Sequence, residues 1–325
     1  MQRRIRRVDF TTLLGASLVA TALPGCGPRA ETLAPLPQAP SSFGGAVDAI
    51  RALVAHDAAN PKIASTALPR LYHHGKLVRR AVVLFHGFTN SPQQYDELAR
   101  RLHARGCNVY VPRMPRHGYK DRITRDLANI TIADLQACAK SAFDVASRLG
   151  ATVSATGISL GGSLVLWLAQ TQPIDLTVPV APFLTPIQIA PGAVHAVMHA
   201  LRAIPSMYWW WDVRVREGSK PPYAYPGYPT HALAEMVFFG DAVLADAAAA
   251  APRGRRCVLV LNEHDNAVDN RVARRLLALW NGHGARYREL VLTGLGGPHH
   301  DVVDPTTFPQ ARTLVYPELE SLLLA

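Results

Sequence analysis

The chain has 325 residues, 49% hydrophobic and 18% charged, a globular balance that excludes wholesale disorder and allows one large α/β domain with an insertion or two small domains. Its formal net charge of +10 is carried by arginine, since only five of the 34 basic residues are lysines. Beyond the first seven residues the arginines are scattered, with no basic stripe interleaved with stacking aromatics, which excludes nucleic acid as the expected partner.

Residues 1–25 read as a targeting segment. A basic start (Arg3, Arg4, Arg6, Arg7) precedes an apolar run from Thr11 to Leu23 that is short for a bilayer span. Removing residues 1–25 takes away those four arginines and Asp9 and leaves a net charge of +7. Leu23-Pro24-Gly25-Cys26 resembles the lipobox of bacterial lipoproteins, apart from the unusual Pro24. That resemblance implies export to the cell envelope and a membrane anchor through lipid on Cys26; an ordinary signal peptide or an uncleaved anchor is the alternative. The Pro-, Ala- and Ser-rich stretch that follows is expected to be a flexible tether over 26–45. Setting Cys26 aside leaves Cys107, Cys138 and Cys257, with no metal-ligand spacing, so neither a disulfide-dependent fold nor a metal site is expected.

The globular part is expected from residue 46. Ala81-Val82-Val83-Leu84-Phe85 is a continuous apolar run ending at His86-Gly87, the pattern of a parallel strand buried on both faces. Ser91-Pro92-Gln93-Gln94 predicts a helix start, with Ser91 as cap, Pro92 in the first turn and Gln94 closing a capping box. A strand follows at 107–112, then a helix capped by Thr131 and running to Leu149. Further strands are expected at 152–156, 176–181 and 257–261. Strands alternating with amphipathic helices predict a mostly parallel central sheet with right-handed crossovers. Residues 184–253 break the rhythm with prolines and aromatics, which divides the core into 46–183 and 254–325 around an inserted cap. Within the cap, Trp209, Trp210 and Trp211 either pack it onto the core or form an acyl-binding wall or membrane-facing patch.

The chemistry centres on Gly157-Ile158-Ser159-Leu160-Gly161, which follows an apolar strand and opens a helix. Small residues two places either side of a serine are what a strained strand-to-helix turn needs to expose a nucleophile. Such a serine requires a base to take its proton and a carboxylate to hold that base. The carboxylate candidates after the 257–261 strand are Glu263, Asp265 and Asp269, with Asp265 favoured. The base candidates are His299 and His300, in the loop Gly294–Asp301.

His86-Gly87-Phe88-Thr89-Asn90, Pro115-Arg116-His117-Gly118, the 157–161 turn, Asp265 and His300 together resemble the carboxylesterase, monoacylglycerol-lipase and lysophospholipase-like branch of the α/β-hydrolases. The resemblance spans about 70–183 and 254–310. It implies an α/β-hydrolase fold and hydrolysis of lysophospholipid, monoacylglycerol or short acyl esters through an acyl-enzyme, without metal or cofactor. It also implies the triad order Ser159, Asp265, His300. The last is favoured because His-Asp-Val-Val-Asp resembles the start of the final helical region in relatives. Phe88 and Leu160 would supply the oxyanion N–H groups, and His86, which precedes the serine, would be structural. An acyltransferase or amidase on the same triad, or a non-catalytic envelope lipoprotein with this fold, are the competing expectations.

Overall fold

The computed structural model describes residues 33–190, 192–211 and 221–325. Residues 1–32, which include the targeting segment, Cys26 and the start of the expected tether, lie outside the described residues. The first helix, α1 (Phe43–Ala59), starts within the stretch expected to be tether, capped by the Ser42 hydroxyl, which accepts the Gly45 N–H. Residues 33–42 are not free either. The Pro37 carbonyl accepts from Ser141 Oγ at 3.5 Å and the Pro40 carbonyl from Arg148 Nε at 2.9 Å, which lays this segment along the domain. A proline-rich composition lacks its own core but can still be held by carbonyls that have no competing N–H.

In chain order there follow β1 (Arg70–Tyr72), β2 (Val78–Phe85), α2 (Asp96–Ala104), β3 (Asn108–Val111), α3 (Ile132–Ala146), β4 (Gly150–Ile158), α4 (Leu160–Thr171) and β5 (Leu176–Val180). Next come α5 (Val194–Ala203), β6 (Tyr208–Trp210), β7 (Gly227–Pro229), α6 (Thr230–Ala249), β8 (Val258–Asn262), α7 (Asn270–Gly282), β9 (Arg288–Leu292) and α8 (Tyr316–Leu324). Seven strands form one sheet in the order β1-β3-β2-β4-β5-β8-β9, parallel except for β1, which runs antiparallel on the β3 edge. This is the α/β-hydrolase architecture expected from the sequence.

Both faces of the sheet are covered, which is why its central strands read as unbroken apolar runs. Along β2 the side chains alternate. Ala81, Val83 and Phe85 join the core formed with α1, α3, α4, α6 and α7, while Val82 and Leu84 face Leu98, Leu102, Leu319 and Leu323 of α2 and α8. Helix α3 begins in a reciprocal box: Thr131 Oγ1 accepts the Asp134 N–H at 3.1 Å and the Asp134 carboxylate accepts the Thr131 N–H at 3.2 Å. Cys107, Cys138 and Cys257 are buried free thiols.

One local expectation is corrected. The helix start at Ser91 is a 3-10 turn, Pro92–Tyr95, without a side-chain cap, and Gln94 turns away to bond elsewhere. Within the expected insertion, α6 packs against α5 and also against α4 and α7 of the core. The β6–β7 hairpin is separate from the main sheet.

Candidate active site

Parallel strands β2, β4, β5 and β8 end at one rim of the sheet, and the loops leaving that rim carry the sequence-predicted residues. Ser159 sits between β4 and α4 with φ 57° and ψ −120°, a conformation that costs a non-glycine residue on the order of 1–3 kcal/mol. Three backbone bonds enforce it. The Ser159 N–H donates to the Val180 carbonyl at 3.1 Å, and its own carbonyl accepts from Ser163 N and Phe183 N, each at 3.0 Å. The turn is tight: a Cβ on Gly161 would fall inside the contact radius of the Phe85 and His86 carbonyl oxygens, and one on Gly157 would strike the Gly161 backbone. Glycine is required at both places by close approach of backbone.

Asp265 follows β8 and is buried. One oxygen, Oδ1, accepts the N–H groups of Ala267 at 2.8 Å and Val268 at 3.1 Å. The other, Oδ2, lies 2.8 Å from Nδ1 of His300, whose side chain is 22% exposed. With both Asp265 oxygens acting as acceptors, Nδ1 of His300 carries the proton and Nε2 is left with a lone pair. The Ser159 hydroxyl makes no hydrogen bond among the described residues. Catalytic hydrogen bonds are often long in a free enzyme and tighten on substrate.

The competing carboxylates are held elsewhere. Asp269 caps α7 by accepting the Arg271 N–H at 2.9 Å and pairs with the Arg271 guanidinium, which lowers its pKa. Glu263 pairs with Arg274 at 2.9 Å on the surface. The neighbouring His299 is exposed, with its ring 4.9 Å from that of Phe308. His86 is fully buried, its Nδ1 donating to the Gly87 carbonyl at 3.0 Å and its Nε2 accepting from Met114 N at 3.2 Å, and burial holds its pKa well below the ordinary value. Burial likewise pushes His117 down to about 4.

The alpha/beta hydrolase family model matches residues 82–311, most of this chain. The chain belongs to that family. Two curated relatives are a thermostable monoacylglycerol lipase from a Bacillus species, 33% identical over 92 residues, and a pyrethroid hydrolase from Sphingobium wenxiniae, 29% identical over 111. Those matches take in 28% and 34% of this chain and 36% and 37% of the relatives, so the chain spans little more than a third of their length. Among solved structures, one from a study of metagenome-derived lipolytic enzymes superposes with a TM-score of 0.63 at 21% identity, covering 81% of this chain and 99% of its own. The monoacylglycerol lipase of Paleococcus ferrophilus superposes with a TM-score of 0.58 at 18% identity, covering 78% and 98%. At such identities the superpositions speak to the fold.

In this member of the family the backbone N–H groups of Phe88 and Leu160 have no acceptor among the described residues. The Phe88 loop is fixed from the insertion. Thr89, at φ 65°, receives the Trp211 Nε1–H on its hydroxyl at 3.0 Å and the Tyr225 N–H on its carbonyl at 2.7 Å. The three tryptophans have different surroundings. Trp209 packs against the core and Trp210 lies edge-on to Tyr208. Trp211, 40% exposed, sits edge-on to Phe88, and its ring is 4.5 Å from that of Tyr228.

Sequence reasoning passed over several residues that hold this rim. The Asn262 side-chain amide donates to the His299 carbonyl and accepts the His264 N–H at 3.1 Å, tying the histidine loop to the carboxylate loop. The Tyr223 hydroxyl lies 2.9 and 2.7 Å from the two oxygens of Asp304, whose pKa is pushed up to about 6 by burial and by the nearby charge of Asp301. A polar residue closing an apolar strand, as Asn262 does, was the one local signal.

Proposed function

We propose that this chain is a serine hydrolase that cleaves carboxylic esters through an acyl-enzyme. The observation that carries this reading is the Asp265–His300 pair at 2.8 Å, set with Ser159 on one rim and oriented so that Nε2 is the free acceptor. Ser159 attacks the ester carbonyl and His300 Nε2 takes its proton, then returns it to the leaving alcohol. Asp265 holds the imidazole tautomer and stabilises the imidazolium that forms. The N–H groups of Phe88 and Leu160 receive the oxyanion; one such donor contributes roughly 10²–10³-fold in kcat. Water entering the same site then hydrolyses the acyl-enzyme.

The substrate class is an ester with an apolar acyl group: a monoacylglycerol, a lysophospholipid or a short acyl ester. Its support is the aromatic wall of Phe88, Trp211 and Tyr228 beside the proposed oxyanion N–H, and the names monoacylglycerol lipase and pyrethroid hydrolase among relatives. We further propose export and anchoring through lipid on Cys26. Fractionation tests the anchor: wild type goes to membranes and Cys26→Ser loses acyl labelling, whereas equal soluble recovery of both removes it. A panel of p-nitrophenyl esters of rising acyl length, with monoacylglycerol and lysophospholipid, tests the activity. Turnover of amides or acyl transfer without ester hydrolysis would overturn it.

A further inference from the structure

One buried polar side chain on the rim is not used by that mechanism. Gln94, 2% exposed in the turn after the Phe88 loop, has both ends of its amide engaged. Its Oε1 accepts the Gly87 N–H at 2.7 Å and its Nε2 donates to Asp301 Oδ2 at 3.0 Å. The amide cannot turn over, because a backbone N–H offers only a proton and a carboxylate only lone pairs. Gly87 immediately precedes Phe88, and Asp301 immediately follows His300. One side chain therefore spans two loops, its bond to Asp301 joining residues 207 positions apart in sequence. Asn90 Nδ2, 3.4 Å from the same Asp301 oxygen, reinforces the join more weakly.

We propose that Gln94 is a positioning residue, a strut that sets the separation between the Phe88 N–H and the His300 imidazole by holding Gly87 and Asp301 at fixed distance. This rests on the ester-hydrolase reading of the site. The Phe88 N–H must meet an oxyanion and His300 Nε2 must meet the serine proton in the same transition state, so their relative placement bears on kcat. A misplacement of 1 Å from a residue outside the chemistry can cost about 100-fold. Apart from the longer Asn90–Asp301 contact, the bonds named above for these loops each reach one of them: His86 and Thr89 serve the first, Asn262 the second.

The chemistry suggests a test by reversed polarity. Gln94→Glu keeps the acceptor for Gly87 N–H and sets a second carboxylate against Asp301, which opens the strut. Asp301→Asn alone leaves an amide that can rotate to accept from Gln94. The double variant Gln94→Glu/Asp301→Asn restores a donor–acceptor pair with its sense inverted. On a p-nitrophenyl ester, Gln94→Glu should lower kcat roughly 30-fold or more with KM within about threefold. The double variant should return to within about fivefold of Asp301→Asn. A double variant as slow as Gln94→Glu would overturn the strut, as would wild-type kcat in Gln94→Glu. Should Gln94→Glu fail to fold, Gln94→Met removes both bonds without a charge, and wild-type kcat in it overturns the proposal equally. A substrate-free measurement separates this from the activity reading. Amide hydrogen exchange should rise in Gln94→Met over both 86–90 and 299–304; unchanged exchange at 299–304 overturns the strut whatever the enzyme hydrolyses.

Discussion

Replacing Asp265 by asparagine leaves almost every atom in place and should nevertheless abolish turnover. Oδ1 of Asp265 accepts two backbone N–H groups, from Ala267 and Val268, and Oδ2 faces His300 Nδ1. An asparagine can keep its oxygen toward the two N–H groups, or toward the histidine. The second choice presses an NH₂ against two buried donors and leaves both unsatisfied, at roughly 1–3 kcal/mol each. Moving the imidazole proton from Nδ1 to Nε2 is the smaller cost, so the amide keeps its oxygen on the backbone and presents NH₂ to His300. Nδ1 must then be the acceptor, and Nε2, now protonated, cannot take the Ser159 proton. Tautomer inversion of this kind lowers kcat about 10⁴-fold, or ~5 kcal/mol of transition-state stabilisation. Because both backbone bonds survive, Tm should move by no more than a few degrees. The assay is kcat on a p-nitrophenyl ester, normalised by melting temperature, with Asp269→Asn as control. Asparagine caps helices as well as aspartate does, so Asp269→Asn should stay active. Turnover within tenfold of wild type in Asp265→Asn, or a loss in Asp269→Asn instead, would rule out Asp265 as the partner that sets the His300 tautomer.

His300→Ala should be nearly inactive, while His299→Ala should keep substantial kcat, because Asn262 binds the His299 carbonyl and not its ring; the reverse ranking moves the base by one residue. Asp304, raised from 3.8 to about 6 in the folded chain, makes the fold bind more protons than the unfolded chain between those values. Its contribution to stability therefore falls as pH rises through that window, by roughly 3 kcal/mol in all. Asp304→Asn should raise Tm relative to wild type at pH 7.5 and have little effect at pH 4; a variant less stable than wild type only at pH 7.5 would contradict the sign. The buried histidines act in the opposite sense. His117 at about 4, with His86 well below its ordinary value, makes the fold bind fewer protons, so stability should fall as pH drops below about 6.5. Calorimetry from pH 7 to 4 in His117→Gln should show a shallower loss than wild type, and an unchanged slope would remove His117 from the account.

The central strands were legible because burial on both faces leaves only apolar, β-branched residues to choose from, as in Ala81–Phe85 and Val258–Leu261. The serine turn was legible because close backbone approach demands glycine at 157 and 161, which leaves a spaced mark in the sequence. The edge strand β1 was not, being three half-buried residues on one antiparallel partner. Nor was β9, whose first residues are exposed. Gln94 read locally as a capping residue, and only the folded chain brings Asp301 and the Gly87 N–H to its two ends. A bond between residues 207 apart leaves no local periodicity. For the same reason the choice between His299 and His300 came from family resemblance, and the hydrogen bond to Asp265 supplies the geometric ground for it.

The most direct measurement is mass spectrometry of the chain after reaction with a fluorophosphonate, beside the kcat of Ser159→Ala. One adduct is expected, on the peptide carrying Ser159 and absent from Ser159→Ala, with kcat of that variant down about 10³-fold or more and the fold intact. Ser163, fully buried and bonded to the Phe183 carbonyl, should not react. An adduct on another residue, or wild-type turnover in Ser159→Ala, would contradict the claim that Ser159 is the nucleophile.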